Sequence, residues 1–329
     1  MPARSARLSD VSTYCFGLIL TLGLSLGMTV TAAPLDEALK PLPPVAQLDP
    51  AKVELGRQLF NEPRLSVNNT LSCASCHHLE SGGADNKPFS IGFDGKPVEI
   101  NTPSVFNASL NFKQFWNGRV DTLEAQVEQV VISPVEMGSD WKTVVQNLSA
   151  LPAYQAAFKQ AYPDGVTAAN VQNALATYER TLLTPNSRFD QYLLGNTEIL
   201  TIQEKYGYQR FKDYGCIACH QGINIGGNMF QKFGVMGDYF KVRGNPVESD
   251  LGRYLLTKDE EDRHVFKVPS LRNIAVTAPY FHDASAKTLE EAVDVMFKFQ
   301  LGRNPSQEDK DLIIQFLKTL TGEWSGKPL

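Results

Sequence analysis

Apolar residues along most of the chain recur at the spacing of amphipathic helices. One helix is predicted from Pro50 to Phe60, because Asp49 precedes a proline and proline suits the first helical position. Other helical stripes are Val171, Ala174, Leu175 and Tyr178, and Leu312, Ile313, Phe316, Leu317 and Leu320. Strand-like alternation is scarce. The pattern therefore predicts an all-α fold with few or no strands.

Several helices begin at residues that stabilise a helix N-terminus. The capping boxes are Thr201 with Glu204 and Thr288 with Glu291. Ser306 would cap the last helix, which the pattern predicts to end at Gly322. Residues 82–101 and 222–237 are rich in glycine or other turn residues and lack a helical or strand period. They are therefore predicted to be long loops, which are often functional in domains of this size.

The N-terminal segment differs from the rest in charge and hydropathy. Arg4 and Arg7 precede an apolar stretch from Tyr14 to Val30, and small residues follow up to Ala32. This order is typical of a cleavable secretory signal peptide over residues 1–32, and it predicts export to the periplasm. An uncleaved anchor is the alternative, because the apolar stretch is long for a signal although short for a spanning helix.

Two five-residue motifs carry the clearest chemistry in the chain. Each has two cysteines separated by two residues and followed directly by a histidine, which is the pattern of covalent haem c attachment. The residues are Cys73, Cys76 and His77, and Cys216, Cys219 and His220. The motifs use four of the five cysteines, so a chance match is excluded. The sequence predicts two covalently bound haems c, with each histidine as an axial ligand of its iron.

Other cysteine chemistries fit this spacing poorly. A zinc ribbon would place its cysteine pairs about 15–20 residues apart, and disulfide frameworks belong to short, cysteine-rich chains. Two haem motifs in 329 residues suggest two cytochrome c-like domains side by side. We expect an N-terminal haem domain over residues 33–190 and a C-terminal one over 191–329. The net charge of −5 argues against nucleic acid as a partner.

Many short motifs between Leu55 and Leu320 resemble, in the same order, those of the bacterial dihaem cytochrome c peroxidases. Besides the haem motifs they include Gly82-Gly-Ala-Asp85, Asn101-Thr-Pro-Ser-Val-Phe-Asn107, Phe115-Trp-Asn-Gly-Arg119, Val135-Glu-Met137, Leu271-Arg-Asn273 and Thr277-Ala-Pro-Tyr-Phe-His282. The resemblance implies reduction of hydrogen peroxide to water with electrons from a small redox protein, a cytochrome c or a copper protein. It also implies a peroxidatic first haem, a second haem of higher potential that receives electrons, and a homodimer.

The resemblance further assigns roles to single residues. Glu136 matches the acid–base residue of peroxide cleavage, and Gln126 matches the distal amide of the same pocket. Trp116 matches a tryptophan that lies between the two haems. Met296 matches the second axial ligand of the second haem, which raises its potential. Arg272 is expected to bind a haem propionate.

A calcium site is implied at the domain interface, where oxygen donors suit a hard cation. The matching residues are Asn101, Thr277 and Pro279, and the alternative is a structural loop without an ion. Two histidines outside the haem motifs carry weaker expectations. His264 lies in a charged stretch and is predicted to be solvated, whereas packing, hydrogen bonding and function all remain open for His282.

One position departs from the family pattern. Many members have a histidine after Ser-Ile-Gly in the long loop. In the fully oxidised enzyme that histidine coordinates the iron of the first haem and blocks its open site. This chain has Phe93 after Ser90-Ile-Gly92, and a phenylalanine has no lone pair for iron. We therefore expect the first haem to be open in every oxidation state, so that no reductive activation is needed.

Two other functions remain as alternatives. A maturation-type dihaem oxidase acts on a partner protein, but that relative has tyrosine where this chain has Met296. A non-catalytic dihaem electron carrier would need a sixth ligand on both irons, and Met137 is the candidate for the first iron. Turnover of peroxide with a reduced donor distinguishes these classes.

Overall fold

The computed structural model describes residues 34–329, and the predicted signal peptide over residues 1–32 lies outside them. Within the described range the secondary structure is mainly helical, which confirms the all-α prediction. None of the helices in this range is both long and apolar enough to cross a membrane.

Short and medium helices, joined by long irregular segments, make up the described part of the chain. The α-helices are α1 Pro50–Phe60, α2 Leu123–Ile132, α3 Trp141–Ser149, α4 Pro152–Ala161, α5 Ala168–Glu179, α6 Arg188–Leu193, α7 Ile202–Asp213, α8 Tyr239–Arg243, α9 Tyr254–Thr257, α10 Leu289–Val295 and α11 Gln307–Lys318. A π-helical segment, Met296–Leu301, continues α10. The strands pair antiparallel as β1 Phe230–Lys232 with β2 Val265–Lys267, and β3 Glu323–Trp324 with β4 Lys327–Pro328.

Buried apolar side chains form two large clusters among the described residues. The first cluster draws on residues from Leu55 to Leu182, and Cys73 of the first haem motif packs against it. The second cluster consists of Leu39 and residues from Phe189 to Leu320, and Cys216 of the second motif packs against it. Each haem motif is therefore attached to its own apolar core.

A close helix crossing precedes each haem motif. Helix α1 packs on α5 at Gly56, where an added Cβ would overlap the carbonyl oxygen of Ala174. Helix α7 packs on α11 at Gly207, where a Cβ would overlap the carbonyl oxygen of Leu312. The absence of a side chain lets the two helix backbones approach closely. The close contact holds α1 and α7, the helices that precede the two haem motifs, against their own cores.

The predicted helix starts are largely confirmed. Pro50 is the first residue of α1, and the Thr201–Glu204 capping box is complete. The second box is only half formed, because the Glu291 carboxylate accepts a hydrogen bond from the backbone of Lys287, at 2.6 Å, and not from Thr288. The start of a helix is predictable because it depends on residues a few positions apart.

Two predicted boundaries are wrong for reasons of tertiary contact. Helix α11 ends at Lys318 and not at Gly322. Beyond it, the backbone N–H of Gly322 donates to the side-chain oxygen of the buried Asn273, at 2.9 Å, which draws the chain away from the helix axis. The predicted loop 222–237 contains β1, whose partner β2 is distant in sequence, so no local pattern signals this strand.

The crossing at Gly207 leads to a stability prediction. Gly207→Ala should lower the free energy of unfolding by about 1–3 kcal/mol, because the new methyl group separates α7 from α11. Gln203→Ala places the same residue at an exposed position of α7 and should be neutral or slightly stabilising. Chemical denaturation of both variants measures this difference. Equal stability of the two would show that the crossing tolerates a side chain.

Candidate haem and active site

The first haem motif lines a cavity of about 190 Å³. Cys73 begins a short 3₁₀ turn that Ser72 and Ser75 close reciprocally, and the backbone N–H of His77 donates to the carbonyl of Cys73, at 2.9 Å. This tight turn directs Cys73, Cys76 and His77 into the same cavity. Local backbone structure therefore brings together the three residues that are predicted to attach and ligate a haem c.

His77 has the protonation state that an iron ligand needs. Its Nδ1 lies 3.1 Å from the carbonyl oxygen of Gly83, and a hydrogen bond there requires the proton on Nδ1. The lone pair of Nε2 is then available to a metal. Burial lowers the pKa of His77, and the Gly83 carbonyl opposes this only in part. The imidazole is therefore neutral near pH 7, as coordination requires.

The second motif lines a larger cavity of about 280 Å³, together with Met296. Cys216, Cys219 and His220 reach it from a 3₁₀ turn equivalent to the first one. Burial lowers the pKa of His220 to about 4, so this imidazole is also neutral. Met296 begins the π-helical segment, a local widening that is frequent at functional sites. Met296 and His220 line the same cavity, and the role of Met296 as second axial ligand stays a prediction.

The cysteines fit covalent attachment to a porphyrin. The four cysteines of the described range are free thiols. Burial raises the pKa of Cys73 and Cys76, and it raises the pKa of Cys216 to about 12. Neutral thiols beside apolar cavities are suited to thioether formation with haem vinyl groups. Both cavities therefore fit the group that the motifs predict.

Charged residues meet at the first cavity, which Glu136, Gln126 and Arg119 all line. Burial raises the pKa of Glu136, opposed in part by Ser133 and by the charge of Arg119. The Arg119 guanidinium lies 3.3 Å from the centre of the Phe115 ring, and burial lowers its pKa. The structure thus places an acid, an amide and a guanidinium around one apolar space.

Trp116 lines both cavities. Its indole Nε1–H donates to the carbonyl oxygen of Asn101, at 2.9 Å, and its own carbonyl oxygen accepts from the backbone N–H of Lys267, at 2.8 Å. Asn101 and Lys267 also line both cavities. The three residues belong to the wall that the two cavities share, and we call them the shared wall.

The predicted calcium residues lie near this wall. The side-chain nitrogen of Asn101 donates to the carbonyls of Lys87 and Pro88, at 3.0 and 3.2 Å, so its amide oxygen remains the available acceptor. Thr277 and Pro279 line the second cavity. Calcium binding by these residues stays a prediction.

Arg272 lies deep in the structure, where it forms an ion pair with Asp190 at 2.8 Å. Two further donors of its guanidinium are bonded to the carbonyls of Ile223, at 2.8 Å, and Lys40, at 2.9 Å. Arg272 also lines the second cavity. Its contact with a propionate stays a prediction, and much of its hydrogen-bonding capacity is already used within the protein.

Phe93 lies beside the first cavity, but its side chain packs outside it. Its backbone N–H donates to the carbonyl of Glu136, its carbonyl accepts from the side chain of Asn68, both at 2.9 Å, and its ring packs on Gly138. The preceding residues Ser90, Ile91 and Gly92 line the cavity, whereas Phe93 does not. The loop is thereby bound to the segment that carries Glu136.

His264 is half-buried, so the prediction that it is solvated holds only in part. Its ring stacks on Phe240 with the ring centres 4.0 Å apart, and its Nδ1 lies 2.7 Å from the carbonyl of Asp250. His282 is buried and its Nε2 lies 2.9 Å from the Asp250 carboxylate. Arg243 also pairs with this carboxylate, so His282 belongs to a buried hydrogen-bond network centred on Asp250.

Three buried or partly buried charged residues at the cavities were not predicted as site residues from the sequence. Arg119 was recognised only as part of a motif. Glu179 lies on the buried face of α5, four positions after Leu175, and burial raises its pKa to about 8. Lys267 interrupts an apolar run between Phe266 and Val268. A charged residue within an apolar stripe was the available signal in the last two cases.

Known cytochrome c peroxidases are similar to this chain over most of its length. The di-haem cytochrome c peroxidase family matches residues 50–198. Cytochrome c551 peroxidase of Nitrosomonas europaea is 42% identical over 306 residues, which cover 92% of this chain and 90% of that protein. Cytochrome c peroxidase Ccp of Escherichia coli is 42% identical over 291 residues, covering 88% of this chain and 62% of that protein.

A solved structure shares the fold over most of its length. It is a MauG-like protein associated with microbial copper homeostasis, with a TM-score of 0.77 and 29% identity, covering 88% of this chain and 95% of that chain. The all-α fold and its two haem-attachment cavities define a dihaem c-type cytochrome. The chain belongs to the dihaem cytochrome c peroxidase family. It is accordingly an oxidoreductase of the cytochrome c peroxidase class, with two haems c.

Proposed function

We propose that this protein reduces hydrogen peroxide to water in the periplasm, with electrons from a small redox protein, a cytochrome c or a copper protein. The first cavity carries this proposal, because a haem-attachment motif and the half-buried carboxyl of Glu136 line the same space. An N-terminal peroxidatic domain over residues 33–190 and a C-terminal electron-transfer domain over 191–329 are part of the proposal. So are a homodimer and a cleavable signal peptide.

When bound, the two haems supply the redox chemistry of the reaction. The protein's own residues manage protons and orientation at the first cavity. Glu136 accepts a proton from one peroxide oxygen and returns it to the other, and its raised pKa suits a group that must do both. Gln126 offers an amide for hydrogen bonding, and Arg119 offers a positive charge next to the developing negative oxygen.

In this proposal, electrons from the donor protein enter at the second cavity. His220 and Met296 line it together, which supports their assignment as the two axial ligands. The thioether favours the reduced iron and so raises the potential. Trp116 contributes to both cavities, which supports a place between the donor side and the peroxide side. Calcium at Asn101, Thr277 and Pro279 would stabilise the same region.

The alternatives differ at specific residues. Met137, the candidate sixth ligand of an electron carrier, is buried within the first core cluster, and its carbonyl accepts from the backbone of Val67, at 3.0 Å. It also lines the first cavity, so only turnover separates the carrier from the peroxidase. A maturation-type oxidase would need a tyrosine at the position of Met296.

Peroxide turnover and its dependence on Glu136 test the proposed function. The holoprotein should consume peroxide with a reduced cytochrome c or copper protein as donor. Glu136→Gln keeps both haems and should lower kcat by about 100-fold or more, because the amide cannot accept a proton. Glu128→Gln changes an exposed glutamate of α2 and should leave kcat unchanged.

The pH profile gives a second readout of the same residue. Since burial raises the pKa of Glu136, its basic form should be lost as pH falls through a value above the usual glutamate range. The acid limb of kcat/KM should therefore lie above about 4.3 and should disappear in Glu136→Gln. Near-normal turnover in a Glu136→Gln protein with two haems would remove Glu136 from the mechanism. No turnover in the unmodified protein would favour the electron carrier.

The ligand assignment at the second haem predicts a change in potential. Met296→His should lower the potential of the second haem, because imidazole favours ferric iron more than a thioether does. Met236 is an exposed methionine near the same cavity wall, and Met236→His should leave the potential unchanged. A redox titration followed by absorption spectroscopy measures both. An unaltered potential and oxidised spectrum in Met296→His would mean that another residue is the ligand.

Phe93 predicts how the oxidised enzyme responds to peroxide. The fully oxidised, calcium-loaded protein should react without a lag and at the rate of the pre-reduced protein, because phenylalanine cannot close the first iron. Phe93→His restores the family residue and should introduce a lag that pre-reduction removes, whereas Phe93→Leu should not. Stopped-flow absorption measures the lag. A purely low-spin ferric spectrum at both haems of the unmodified protein would contradict this expectation.

A further inference from the structure

Lys267 is a buried cation in the shared wall. Its residue is only 8% exposed, it ends strand β2, and it lines both cavities. Among residues 34–329, no charged group and no hydrogen-bond partner acts on its ammonium group. Burial is the sole influence on its pKa, which it lowers to about 8. The protein therefore supplies no counter-charge for this side chain.

Such an arrangement is costly unless another group compensates it, because a buried charge needs a partner. Arg272 provides the contrast, since it lines the second cavity but is paired with Asp190. Main-chain bonds hold Lys267 in place. Its N–H donates to Trp116, and β2 is paired with β1 through Phe230 and Lys232. The backbone thus keeps the side chain at the junction of the two cavities.

The group that fits is a carboxylate of a bound haem. Every haem c has two propionate side chains, and this family binds two haems. Peroxide is neutral and cannot compensate a buried ammonium. We propose that the Lys267 ammonium binds haem propionate at the junction of the two cavities, and thereby favours reduction of that haem. The inference rests on the two haems of the family and is independent of the peroxidase reaction.

The charge determines the direction of the effect. A positive charge beside a propionate cancels negative charge near the iron, and negative charge favours the ferric state. Removal of the ammonium should therefore stabilise ferric haem and lower its potential. Because Lys267 lines both cavities, the haem whose propionate it binds is identified by which of the two potentials moves.

Redox titration of three variants tests this inference without peroxide. Lys267→Met should shift the one-electron reduction equilibrium of at least one haem about tenfold toward the ferric form, equivalent to about 59 mV. Lys267→Arg keeps the charge and should restore most of the potential. Lys232→Met removes the same charge from an exposed residue on β1, which lines the second cavity, and should cause a much smaller shift.

Thermal stability of the holoprotein separates this role from a purely structural one. If Lys267 binds a propionate, Lys267→Met leaves a buried carboxylate without its partner and should lower Tm. If the ammonium has no partner, the same change removes a costly charge and should raise Tm. The propionate vibrations in resonance Raman spectra should shift in Lys267→Met and be retained in Lys267→Arg.

The outcomes are distinguishable from failure of the proposed function, since none of these measurements involves turnover. A raised Tm with unchanged potentials and propionate vibrations would overturn the inference. Should Lys267→Met not retain both haems, Lys267→Gln removes the charge with a shorter polar side chain and is measured in its place. Unchanged potentials in that variant would equally overturn it.

Discussion

Burial of ionisable side chains is the physical constraint on which both sites depend. Removal from water disfavours the charged form of each group, so His77 and His220 are neutral and have a lone pair for a metal. The same effect raises the pKa of Glu136 and so weakens its preference for the ionised state. The apolar cavities that accommodate a porphyrin are thus also what adjusts the proton affinity of the residues around them. Burial in the two cavities therefore both makes room for a porphyrin and shifts the pKa values of the surrounding side chains.

The shared wall shows how the chain brings these cavities together. Lys267 donates to Trp116, Trp116 donates to Asn101, and the backbone N–H of Asn101 donates to the carbonyl of His282, at 2.8 Å. His282 is itself bonded to the carboxylate of Asp250. Segments far apart in sequence are therefore joined by a continuous set of hydrogen bonds. Such a network suits a site in which the separation of two redox centres must be constant.

The segment beside the first cavity accommodates Phe93 without loss of local structure. Gly138 has φ +62, and its lack of a side chain leaves room for the ring of Phe93. The adjacent Gly92 packs with equal closeness on the carbonyl of Val135. Both contacts attach the long loop to the segment that carries Glu136. The loop therefore contributes to the position of the Glu136 carboxyl as well as to the wall of the cavity.

Local patterns in the sequence determined the features that depend on neighbouring residues. Haem attachment needs Cys73, Cys76 and His77 at fixed spacing, and helix starts depend on a cap such as Thr201 and a residue three positions later. Both are consequences of bond geometry over one turn of chain. The resemblance to known peroxidases added Glu136 and Trp116, which local pattern alone does not distinguish from a surface acid and a core aromatic residue.

Tertiary structure decided the features that depend on distant segments. In the sequence, Lys267 is distinguished only as a charge within a short apolar run. The pairing of β2 with β1 and the bond to Trp116 bring it into the shared wall. The path of the chain after α11 likewise depends on Asn273, and the apolar pattern within the helix gives no sign of this contact. The physical reason is that desolvation and long-range hydrogen bonds act between residues brought together by folding. The protonation state and the bonding partners of such a side chain therefore depend on the folded environment and not on the local sequence.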